Sequence, residues 1–72
     1  MNYSIIIEWS DVDHCYVVTL PEWAEQYAMP CGDGQTYDEA LQSAKDALAT
    51  FMDLAHQDNL PLPIPHVHSY IA

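Results

Sequence analysis

The stretch TYDEALQSAKDALATFMDLAHQ, residues 36–57, decides the fold. It opens with a capping box: Thr36 is placed to accept from the Glu39 amide, and Glu39 to reach back to the amide of Thr36. Tyr37, Ala40, Leu41, Ala44, Ala47, Leu48, Phe51 and Ala55 then recur at the i, i+3, i+4, i+7 spacing of one helix face. Asp38 and Glu39 lie in the first turn, where the helix dipole favours negative charge. The spacing predicts one amphipathic helix, about 30 Å long, ending near Gln57 or Asp58. A stripe on one side of a helix needs a second layer to cover it.

That layer is expected upstream. Residues 3–9 (YSIIIEW) are rich in β-branched and aromatic types and read as a strand. Alternation puts Tyr3, Ile5, Ile7 and Trp9 on one face and Ser4, Ile6 and Glu8 on the other. Ser10 to His14 carries turn chemistry, and Cys15 to Leu20 reads as a second strand, so a five-residue connection closes an antiparallel hairpin. Pro21 has no amide for the ladder and stops that strand. Tyr27 to Pro30 is a weaker third strand, with Cys31-Gly32-Asp33-Gly34 as the turn into the helix.

Downstream, Asn59 to Pro65 (NLPLPIP) cannot be helical, because each proline forces its predecessor towards extended geometry. His66 to Ile71 alternates and suits a short last strand or an arm exchanged with a partner. The expectation is an α+β fold: a β-β-β-α-β order, with an antiparallel sheet and one long helix packed on one face. Residues 1–72 make one domain, with an ordered core over 3–65 and a short tail over 66–72.

Charge narrows the function. Eleven Asp and Glu stand against one basic residue, Lys45, for a formal charge of −10. Backbone contacts to nucleic acid need several Lys or Arg, so direct binding of RNA or DNA is not expected. A field of this sign attracts a cationic protein and speeds their encounter. A chain this short buries only about 60% of its unfolded surface, so self-association into a dimer or tetramer is expected to add stability. With no leader, no membrane span and two cysteines in unlike contexts, the reading is cytoplasmic, with Cys15 and Cys31 as reduced apolar fillers.

Taken in succession, YSIIIEW (3–9), DVDHCYVVTLPEW (11–23), GQTYDEAL (34–41), AKDAL (44–48) and LPIP (62–65) resemble the HicB-like antitoxin family. The resemblance covers nearly all of residues 3–65. It implies a β-β-β-α-β domain likened to a truncated RNase H-like fold. It also implies a partner: HicA, a small basic toxin that cleaves messenger RNA and that the antitoxin masks. Many members carry an operator-binding module after this domain; the seven residues after Pro65 are too few for one.

Candidate residues follow from both lines. Glu8, Asp11 and Asp13 are read as acidic contacts for a basic partner, and Trp23, straight after Pro21-Glu22, as a partly exposed aromatic anchor. The same three acids prompt a rival reading, a metal-binding remnant of a nuclease, although turn carboxylates seldom converge as two-metal chemistry requires. His66 and His68 share a face if extended but lack nearby ligands to complete a metal site. No catalytic residue and no cofactor is expected. A third reading is a stand-alone oligomeric domain with no toxin.

Overall fold

In a computed structural model, residues 2–68 are described. The elements are β1 (Ile6–Ser10), β2 (Cys15–Thr19), a single 3-10 turn over Pro21–Trp23, β3 (Gly32–Gly34) and α1 (Tyr37–Gln57). The strands form an antiparallel sheet in the order β1-β2-β3, with α1 packed on it. The fold class is α+β, as the sequence predicts.

Register sorts the side chains. Ile7 stands opposite Val18 and Trp9 opposite Tyr16, so these four share the helix side. Ile6, Glu8, Cys15, Val17 and Asp33 fall on the other, open side. The core lies between sheet and helix: Val18, Leu20, Trp23, Ala40, Ala44 and Ala55 are fully buried. Tyr3, Ile5, Ile7, Tyr27, Met29 and Phe51 pack around them.

Several boundaries differ from the sequence reading. β1 begins at Ile6 rather than Tyr3, because the Ser4 amide donates to the Glu22 carboxylate instead of to a neighbouring strand. The hairpin connection has four residues, Asp11 to His14, since Ser10 pairs with Cys15. His14 closes it with φ of 52°, in the left-handed region where His is among the better-tolerated types. His66 to His68 are not in a strand, and the rest of the expected last strand lies outside the described residues.

The largest correction concerns β3. Tyr27 to Pro30 is irregular, and the glycines read as a turn form the third strand, with Gly34 opposite Tyr16 and Gly32 opposite Val18. Neither glycine has positive φ, so dihedral freedom is not their purpose. Both face α1 at close range. A Cβ on Gly34 would meet the Ala40 amide nitrogen and lie 2.7 Å from the Glu39 carbonyl carbon; one on Gly32 would meet Ser43 Oγ. Glycine here makes room for a helix.

The caps agree with the sequence in all but one detail. Thr36 Oγ1 accepts from the Glu39 amide at 3.1 Å, whereas Glu39 Oε1 accepts from Gln35 at 3.3 Å rather than from Thr36. At the other end Asn59 adopts φ of 54°. The Leu60 amide donates to Ala55 at 2.9 Å and that of Asn59 to His56 at 3.3 Å, the pair of bonds of a Schellman stop.

Gly34→Ala is expected to cost about 2–3 kcal/mol, because its new methyl meets backbone that cannot rotate away. Gly32→Ala is expected to cost less, since Ser43 has rotamers to spare. Urea denaturation checks both: unchanged midpoints would mean that α1 does not rest on these glycines.

Candidate partner-binding surface

The hairpin turn holds its acids by local bonds. Asp11 Oδ1 accepts from Trp9 Nε1 at 2.7 Å, while Asp13 Oδ2 accepts from Ser10 Oγ at 3.2 Å. The Ser10 hydroxyl in turn accepts from the Asp13 amide at 3.2 Å. Glu8, Asp11 and Asp13 are all exposed. They do not converge: among the described residues, no three His, Cys, Asp or Glu side chains assemble as metal ligands.

Trp23 is elsewhere. Its indole is completely buried, edge-on to Tyr3 at 5.4 Å and tilted against Phe51 at 5.7 Å, so it cannot anchor a partner. Turn position after Pro21 suggested exposure, but the 3-10 turn swings the ring under the sheet's end, where Tyr27 stacks on Phe51 at 4.1 Å. Trp23 Nε1 finds no acceptor among the described residues. Burying so large a ring outweighs the cost of that orphan donor. Among the described residues the exposed aromatics are Trp9, half exposed and edge-on to Tyr16 at 5.2 Å, and Tyr37, which lies over Tyr16 at 4.3 Å.

A groove of about 700 Å³ runs along β2 and β3 and reaches round the edge of the sheet to Ser43 of α1. Cys15, Val17, Pro30 and Cys31 line it together with Asp13, Asp33 and Gln35, and most of its lining is polar. Cys15 is buried there although it lies outside the core cluster. Burial first, and then the charges of Asp33 and Asp13, push its thiol up from the usual range. Burial also pushes the Cys31 thiol up. Both sulfurs therefore stay protonated at neutral pH, which suits fillers better than nucleophiles.

A second carboxylate site went unread in the sequence. Glu22 is buried beside Trp23, and its oxygens accept from the Ser4 amide at 3.1 Å and the His66 amide at 2.9 Å. The Tyr3 hydroxyl donates to the Pro63 carbonyl at 2.7 Å close by in the chain. Glu22 thus ties the segment before β1 to the proline-rich segment after α1. Burial alone would raise its pKa, but the amides of His66, Glu22 itself and Ser4 outweigh that and hold it below the ordinary value. Its partners lie 18 and 44 residues away, so no local pattern announces it.

Comparison with protein families, with curated proteins and with solved structures found no match. Among the described residues no helix is long and apolar enough to cross a membrane.

Glu22→Ala is expected to cost about 1.5–3 kcal/mol, since it removes the charged acceptor of two part-buried amides. Because the folded pKa lies below the unfolded one, the clamp contributes fully above the ordinary glutamate range. Its contribution is lost as pH falls through the lowered folded value. Wild type should therefore lose stability steeply over that acid window, and Glu22→Gln should lose less. Equal acid slopes in thermal melts of the two proteins would show that Glu22 is not held this way.

Proposed function

We propose that this protein is a binding module of the HicB antitoxin type, which captures a small basic HicA-like toxin and covers its RNA-cleaving surface. The observation that carries the reading is the exposed acid on the side away from α1. Glu8, Asp13 and Asp33 are exposed around the open sheet face, with Asp11 in the adjoining turn, in a chain with a single lysine. Such a surface lowers the free energy of a cationic protein at long range and orients its approach. The resemblance in residues 3–65 supplies the identity of that partner and the likeness to a truncated RNase H-like domain.

On this reading the protein is not an enzyme. It acts in the cytoplasm, as a homo-oligomer, and touches no nucleic acid itself. Glu8, Asp11 and Asp13 serve as contacts, and the buried Trp23 takes no part in them.

Co-purification with a basic protein encoded beside it, at low and high salt, tests the proposal. The expected result is a complex that silences RNA cleavage and weakens as salt screens the acidic surface. A chain that associates only with itself, at any salt, would overturn the toxin-neutralising role.

A further inference from the structure

We infer that the proline arm after α1, residues 60–68, is exchanged between two copies of this chain, each arm lying in the seat that Tyr3 and Glu22 of the other provide. The exchange gives the homo-oligomer of the proposed reading a surface, and it does not depend on the toxin. The seat is built into the body of the domain. Glu22 is buried and accepts from the His66 amide at 2.9 Å, while the Tyr3 hydroxyl donates to the Pro63 carbonyl at 2.7 Å. Both bonds go to the backbone of the arm, so the same arm from a second copy satisfies them equally well. Pro61, Pro63 and Pro65 keep the arm extended by themselves, and it loses little freedom in either seat.

The side chains of the arm add little to their own domain. Among the described residues, none of them belongs to the core cluster or packs against it. Leu60, Leu62, Ile64 and Val67 are exposed instead, Ile64 by 85% and Val67 by 64%. A cleft of about 310 Å³ stays open between the arm and the 3-10 turn, bordered by Glu22, Glu25, Gln26, Ile64 and His66. An apolar run so exposed in one chain is covered when two arms cross. The charge pattern selects a second copy as the cover. Eleven acids stand in a chain of formal charge −10, yet residues 59–68 contain none, so copies that meet along their arms keep acid away from acid. The hinge agrees. The arm reaches its own Glu22 through Asn59, held in the left-handed region at φ of 54°, and opening the hinge releases that less favoured dihedral.

Isotope-filtered nuclear Overhauser spectra of the full chain, on an equal mixture of labelled and unlabelled copies, test the exchange. Contacts are expected from the Tyr3 ring of one copy to Pro63 and Ile64 of another, in a species that sediments as a dimer. The dimer is expected to tighten as salt rises, because salt screens the two acidic bodies from each other. Asn59→Pro cannot adopt positive φ and should tighten the dimer about tenfold, by closing the route back to the same domain. A monomer at every concentration and salt, in wild type and Asn59→Pro alike, would overturn the exchange. So would a dimer whose Tyr3 contacts to Pro63 all lie within one chain, since its interface is then elsewhere. Neither result alters co-purification with a basic protein, so failure of the exchange is distinguishable from failure of the toxin-binding reading.

Discussion

Close approach of α1 to β3 is the constraint on which the rest depends. Among the described residues the sheet has three strands, and the third is three residues long. A 21-residue helix can rest on so small a sheet only if the contact is tight. Gly32 and Gly34 on the strand, and Ala40 and Ala44 on the helix, leave almost nothing between the two backbones. Further along α1 the filler changes, and Phe51 meets Trp23 at a tilt and Tyr27 as a stacked ring. Small residues set the distance at one end, and aromatic ones occupy the space at the other.

The chain ends are held by a different force. The segments before β1 and after α1 contribute few fully buried side chains, so hydrogen bonds to one carboxylate secure them. An ionised group in so sheltered a place would ordinarily be costly. Backbone amides compensate it here, as they do for carboxylates with depressed pKa values in general. Glu22 therefore joins the two segments next to the aromatic cluster, with Tyr3 and Pro63 bonded alongside.

The helix and the hairpin were legible because each rests on local chemistry. Thr36 and Glu39 announce the start of α1, and the alternation of Ile5, Ile7 and Trp9 against Ile6 and Glu8 gives the faces of β1. β3 was misread because Gly32 and Gly34 carry two meanings. A glycine pair signals a turn when dihedral freedom is needed, and a close approach when a helix lies above it. Their spacing of two, immediately before a capped helix, puts both on one face and was the available clue. The burial of Trp23 and the role of Glu22 were not legible for another reason: their surroundings come from residues distant in sequence. The acids of the turn were found by composition, whereas Asp33 and the groove depend on β3 and stayed hidden with it.

Whether the open face exists as described hinges on that third strand, since Val17 and Asp33 share a wall only if β3 pairs with β2. Proton–proton distances in solution decide the matter most directly. The account predicts cross-strand nuclear Overhauser contacts between Tyr16 and Gly34 and between Val18 and Gly32, together with contacts from the Gly34 α-protons to the Ala40 methyl. Contacts from Tyr27 to Met29 onto Cys15 to Leu20 as a paired strand, with Gly32 to Gly34 turning freely, would contradict it.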